Sequence, residues 1–117
     1  MALPNYEKLN PTSWTNVPLQ SVLSGGTVRY TKIGNLVILT IRNLISSNIL
    51  TGGTTLVKGL PKPVIQEQFL ISNVTTTNPD LNCLVGISTS GDLNIISDTI
   101  YASGAQYFAQ FAYLTNE

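Results

Sequence analysis

The sequence predicts an all-β protein, a sandwich or barrel of seven or eight short antiparallel strands, and three observations carry that reading. Residues 27–44 hold two apolar-alternating runs around Gly34-Asn35. Turn chemistry recurs along the chain every eight to twelve residues, the spacing of sandwiches and barrels. No stretch carries the 3.6-residue apolar period of an amphipathic helix.

The hairpin comes first because the rest leans on it. In TVRYTKIGNLVILTIRNL, Val28, Tyr30 and Lys32 alternate with Arg29, Thr31 and Ile33. After the turn, Val37, Leu39 and Ile41 share one face, and Leu36, Ile38, Thr40 and Arg42 share the other. A period of two puts successive side chains on opposite faces of a strand. Gly-Asn suits the tight turn, because turns that match strand twist need positive φ. The second arm is apolar on both faces nearly to Ile41, which predicts a position inside the sandwich or barrel.

The remaining elements follow in order. Residues 1–13, with two prolines and no periodicity, read as a lead-in or linker from something upstream, and residues 14–117 as one domain. Trp14 opens WTNVPLQSVL, where Pro18 argues for an edge or irregular strand. Ser24-Gly25-Gly26 is a loop before the hairpin, and residues 45–53 read as a loop with a short apolar anchor. Thr54–Leu60 is a short strand stopped by Pro61 and Pro63. In the next strand, Phe69, Ile71 and Asn73 alternate with Leu70 and Ser72, and Asn78-Pro79-Asp80 supplies strong turn chemistry. Leu81, Cys83, Val85 and Ile87 define one face of a strand that turns at Thr89-Ser90-Gly91 and returns through Asp92–Ile96. Residues 97–105 read as a loop, and the last strand places Tyr107, Ala109, Phe111 and Tyr113 on one face.

Composition narrows the function. The 117 residues are 43% hydrophobic, enough for one domain with a sizeable core. Only 10% are charged, against about 25% in a typical domain. Six basic and six acidic residues balance to zero, so there is no basic stripe for nucleic acid and no cationic face for an anionic membrane. A neutral Thr/Asn/Ser-rich surface has little electrostatic defence against self-association, which a stable oligomer would use. No apolar run approaches the ~20 residues of a membrane helix, and residues 1–20 carry no signal-peptide pattern. The expectation is therefore a soluble protein with no secretion signal of its own and no membrane insertion.

Catalysis has few candidates. With no His, the usual zinc sites and Ser-His or Cys-His chemistry are excluded. The single Cys83 sits on an apolar strand face and reads as a buried inert thiol. The carboxylates Glu7, Glu67, Asp80, Asp92, Asp98 and Glu117 are the only acid–base groups, and no two are paired beside a binding motif as glycoside hydrolysis requires. The Ser-Gly-Gly and Thr-Gly-Gly loops lack the Lys-Ser/Thr continuation of a phosphate-binding loop. Asn73-Val74-Thr75 matches a glycosylation sequon, a chance match without a secretion signal. Trp14 and Tyr30 are expected in the core, where aromatics bury most area, while Tyr101, in a Ser/Asp/Thr/Gly loop, is as ready to be exposed. No enzyme activity, cofactor or metal is expected.

The order of motifs from Trp14 onward carries a resemblance. It comprises Tyr30, Lys32, Gly34, Asn35 and Val37, then Thr55-Leu56-Val57-Lys58-Gly59-Leu60-Pro61, then Ser90-Gly91-Asp92-Leu93. This series, spanning about residues 14–114, resembles the C-terminal head domains of bacteriophage tail-fibre and baseplate receptor-binding proteins. Where many relatives continue after the Leu-Pro with a Gly-Tyr-Arg-Pro-like run, this chain has Lys62-Pro63-Val64. The resemblance implies an antiparallel β-sandwich or jelly-roll-like barrel, assembly as a homotrimer at a virion tail tip, and host adhesion through cell-surface polysaccharide. It also implies other phage tail or baseplate proteins as partners. Binding residues vary in such heads, so none transfers by position.

A neutral β domain suits neutral glycans, held by Asn, Asp, Ser and Thr hydrogen bonds beside an aromatic surface. Weak identical sites on a trimer would gain avidity by effective concentration. Because binding residues concentrate on loops held by a rigid scaffold, a carbohydrate-binding site is expected in the loops at 46–53, 75–82 or 98–105, with Asp80, Asn82, Asp98 and Tyr101 as candidates. The alternative is a structural β-module of a tail or baseplate that binds virion proteins and no glycan.

Overall fold

The computed structural model describes residues 13–73, 82–97, 99–100 and 105–117. Among these residues the chain is all-β, with ten strands. In order they are β1 (Thr15–Val17), β2 (Gly25–Ile33), β3 (Leu36–Ile45), β4 (Leu50–Thr51), β5 (Thr55–Val57), β6 (Glu67–Asn73), β7 (Cys83–Ile87), β8 (Leu93–Ser97), β9 (Thr99–Ile100) and β10 (Tyr107–Leu114). Eight form one antiparallel sheet in the order β1-β2-β3-β10-β6-β7-β8-β5. Its ends meet: Leu19 bridges Val57, and the Gln20 N–H donates to the Leu56 carbonyl at 3.0 Å, so the sheet is nearly closed into a barrel. Closure removes most of the free edge that an open sheet would offer to other chains.

The hairpin at Gly34-Asn35 forms as its alternation predicts, with Ile33 opposite Leu36, Lys32 opposite Val37 and Val28 opposite Ile41. Gly34 takes φ +59° while Asn35 stays out of the positive-φ region, the pattern of a type II′ turn with glycine at its first central position. Val37, Leu39 and Ile41 face the core and are buried, together with Val28 from β2. β3 lies between β2 and β10 in the middle of its half of the sheet. It lies inside a barrel, one of the two positions the sequence allowed. The barrel wall is a single sheet, so Leu36 and Ile38 point outward and are half-buried.

The other alternating faces also bury as read. Ile71, Cys83, Val85 and Ile87 are fully buried, while Leu70 and Ser72 are exposed. Cys83 is a buried thiol whose Sγ lies 3.5 Å from the Ser97 carbonyl. On β10, Tyr107 and Tyr113 are buried and Ala109 and Phe111 pack against the core. β6 and β10 pair only at Asn73–Tyr107 and Ser72–Phe108. Beyond that the strands no longer pair, and the Phe69 and Phe111 rings stack face to face at 4.4 Å between centroids.

Trp14 departs from expectation: it is 43% exposed and stacks on Arg29, whose guanidinium carbon lies 4.8 Å from the ring centroid. Strand parity is the reason. Val17 pairs with core-facing Val28 and takes the inward position, so Trp14, three residues earlier, falls on the outer side beside Arg29. Tyr30 is half-buried and packs against the core.

Tyr113 ties the last strand to the segment after β5: its hydroxyl donates to the Pro61 carbonyl at 2.7 Å. Burial first, then Tyr30 and Glu117, push its phenol above the ordinary range. The native state therefore holds the proton more tightly than the unfolded chain. Stability from this group is complete below the unfolded value of about pH 10 and falls as pH rises above it, by at most about 1.4 kcal/mol per pH unit. Tyr113→Phe should lower stability by about 1 kcal/mol at neutral pH, since it orphans a buried carbonyl, yet remove that alkaline slope. Thermal melts at neutral pH and above pH ~10 check it, and equal alkaline slopes in the two proteins would refute it.

Candidate functional site

Two places on the barrel hold the ingredients of a binding site. The first is the end opposite the Gly34 turn. Tyr107 pairs with Leu44 at the close of β3 and with Asn73 at the close of β6. Cys83, at the start of β7, pairs with Ile71, and Ser97, at the close of β8, with Leu84. The strand ends that launch the loops at 46–53, 75–82 and 98–105 therefore lie together at one end. Two of these loops are also joined: β4 and β9 pair through Leu50–Ile100 and Thr51–Thr99. Two-residue strands leave no periodic signal, which is why 45–53 reads in the sequence as a loop with a short apolar anchor and 97–105 as a loop.

Of the four candidate residues, Asp80, Asp98 and Tyr101 lie outside the described residues. Asn82 is half-buried, and its side-chain oxygen accepts the Asn73 N–H at 3.3 Å, bracing the base of its own loop. In the loop after β3, Ser46 is buried. Its hydroxyl oxygen lies 3.0 Å from the Val22 carbonyl and 2.6 Å from that of Asn48, and accepts the Asn48 N–H at 3.1 Å. That hydroxyl ties the start of the loop to the segment before β2, while Ser47, Asn48, Ile49 and Thr51 beyond it are exposed. Among the described residues no three of His, Cys, Asp and Glu gather into a metal site.

The second place is on the barrel wall, where the sequence reading did not look. A depression of about 300 Å³ is lined by Thr40, Ile41 and Arg42 of β3 and by Phe108, Ala109 and Gln110 of β10. Ile41 and Ala109 pair with each other and turn inward, so the outward side chains are Thr40, Arg42, Phe108 and Gln110. Gln110 sits directly opposite Thr40. Thr40 and Arg42 were legible as outward-facing, but their partners are some 70 residues away on β10. No local pattern encodes that register.

The same wall changes character along its length. Toward the Gly34 turn its outward positions are Ile33, Leu36, Ile38, Ala112 and Leu114, with Ala112 opposite Ile38 and Leu114 opposite Leu36. Leu114 is 58% exposed. Toward the loop end the wall becomes polar at Thr40, Arg42 and Gln110.

This nearly closed eight-stranded antiparallel architecture is shared with two bacteriophage receptor-binding proteins. The chain is similar to the head domain of the lactococcal phage bIL170 receptor-binding protein, with TM-score 0.65 and 13% identity over 87% of this chain and 96% of that one. It is also similar to the receptor-binding protein gp15 of Listeria phage PSA, with TM-score 0.64 and 16% identity over 95% of this chain and 68% of that one. No protein-family model matches the chain, and no curated protein matches it.

Proposed function

We propose that this chain is a non-catalytic phage adhesin head that recognises a host cell-surface saccharide as a homotrimer, at the tail tip of a virion. The observation that carries the reading is its fold likeness to two phage receptor-binding proteins, which takes in 96% of the lactococcal head. Supporting it, the wall and loop end offer polar side chains on a rigid closed barrel, as saccharide recognition requires. The low charge of 10% and the apolar outward row Leu36, Ile38, Ala112 and Leu114 favour a closed assembly of identical chains.

The test uses the labelled chain on a panel of bacterial cells that includes lactococci and Listeria, with light scattering for mass. Saturable binding to some strain, abolished by periodate oxidation of its surface glycans, together with a mass three times that of one chain, is the expected result. A monomer that binds no strain would sink the proposal. Capture of tail or baseplate proteins with no cell binding would favour the structural-module reading instead.

A further inference from the structure

We infer that the wall depression formed by Thr40, Arg42, Phe108 and Gln110 is a subsite for a glycosyl residue bearing an anionic substituent, a phosphate or a carboxylate. The inference rests on the saccharide-recognition reading and deepens it.

The depression sits on a defect built into β3. Between Leu44 and Ile41 this strand spends three residues where β10 spends two, from Tyr107 to Ala109. The same excess recurs against β2, where Gly25 pairs with Ile45 but Thr27 with Arg42. One extra residue in β3 therefore disturbs both ladders, and Asn43 beside Arg42 takes φ +53°. β2 accommodates it with Gly26, where an added Cβ would stand 2.7 Å from the Asn43 carbonyl oxygen. A bulge bends its strand and re-aims side chains. Here it parts the wall beside Arg42 and opposite Phe108.

The donor and acceptor balance selects the ligand. Arg42 brings five N–H donors and no acceptor, Gln110 two donors and one carbonyl, and Thr40 one hydroxyl. The Thr40 hydroxyl lies 3.5 Å from the Arg29 carbonyl. Among the described residues the lining holds no carboxylate. Among the described residues Arg42 has neither an ion-pair nor a hydrogen-bond partner. Arg29, the neighbouring outward cation, is already covered by the Trp14 ring. A donor-rich site around a planar guanidinium matches the bidentate geometry of phosphate or carboxylate. The half-buried Phe108 side chain supplies aromatic surface in the lining, suited to the polarised C–H face of a pyranose. Gln110 and Thr40 remain for ring hydroxyls. The volume of about 300 Å³ stands at the lower end of small-ligand sites, which suits one sugar unit of a longer chain.

The test titrates the full chain with α-D-glucose 1-phosphate, D-glucuronic acid, D-glucose and inorganic phosphate, followed by NMR amide shifts. At least one anionic sugar is expected to bind about tenfold more tightly than glucose, with shifts centred on Arg42 and Gln110. The phosphate and uronate arms separate the two anions. Arg42→Gln should abolish the preference over glucose, and Phe108→Ala should weaken every sugar, with neither changing the melting temperature by more than a few degrees. Binding of neither anionic sugar, a preference that survives Arg42→Gln, or inorganic phosphate binding as tightly as the sugar phosphate would each overturn the subsite. Host-cell binding that persists in the Arg42→Gln/Phe108→Ala double variant would also overturn it while leaving the adhesin reading intact. Loss of the adhesin reading, by contrast, would show as no cell binding by the unaltered chain.

Discussion

Replacing Gly91 with alanine is expected to lower stability by about 3 kcal/mol and the melting temperature by on the order of 10 °C. Gly91 closes the turn between β7 and β8 at φ +85°, where side chains other than glycine are strained. A Cβ at this position would also stand 2.3 Å from the backbone oxygen of Leu60, which cannot swing aside as a side-chain tip can. The Leu60 N–H donates to the Gly91 carbonyl at 3.1 Å, and Leu60 is itself buried, so relief would pull a core residue outward. Gly34→Ala is the control. Gly34 also has positive φ, at +59°, but an added Cβ meets nothing within 4 Å. Its loss should stay near 1 kcal/mol, the conformational share alone. Urea unfolding of both variants measures the difference, and equal losses would show that the contact with Leu60 contributes nothing.

The largest expected change in assembly comes from placing charge on the apolar half of the wall. Ala112 and Leu114 are exposed on the outer side of β10, so glutamate at both is compatible with the barrel fold. In a trimer closed through this face, several carboxylates would be buried without partners around one axis, each costing several kcal/mol. If the chain assembles as the proposed trimer through this face, the double variant Ala112→Glu/Leu114→Glu should fall threefold in mass, to the 12.6 kDa of one chain, while keeping its β-sheet circular dichroism. Cell binding should fall with it, because avidity is lost when sites separate. An unchanged trimer mass would place the subunit contact elsewhere on the barrel.

The three motif segments behind the family resemblance turn out to meet at one end of the barrel. The Asn35 carbonyl at the hairpin turn accepts the Thr115 N–H at 2.9 Å. Pro61 of the Leu-Pro element accepts the Tyr113 hydroxyl, and Leu60 before it bonds Gly91 of the late hairpin. Segments up to 80 residues apart in sequence thus share one packed cap. Their order was readable beforehand, but the contacts that give the order its meaning were not.

What the sequence by itself determined is what a short window can encode. Strict alternation set which residues of β2, β3, β6, β7 and β10 turn inward, because a strand's faces repeat every two residues. Gly34-Asn35 and Ser90-Gly91 placed two turns through their backbone freedom, and the lack of His and the sparse charge narrowed the chemistry. What only the tertiary structure decided depends on register between distant strands. The outward stacking of Trp14 on Arg29, the β4–β9 pairing, and the placing of several strand ends together at one end all follow from that register. So does the bulge that sets Arg42 and Thr40 against Phe108 and Gln110. Each arises where one chain segment meets another, from 15 residues away for Trp14 and Arg29 to dozens for the rest, and a one-residue slip would turn every side chain to the opposite face.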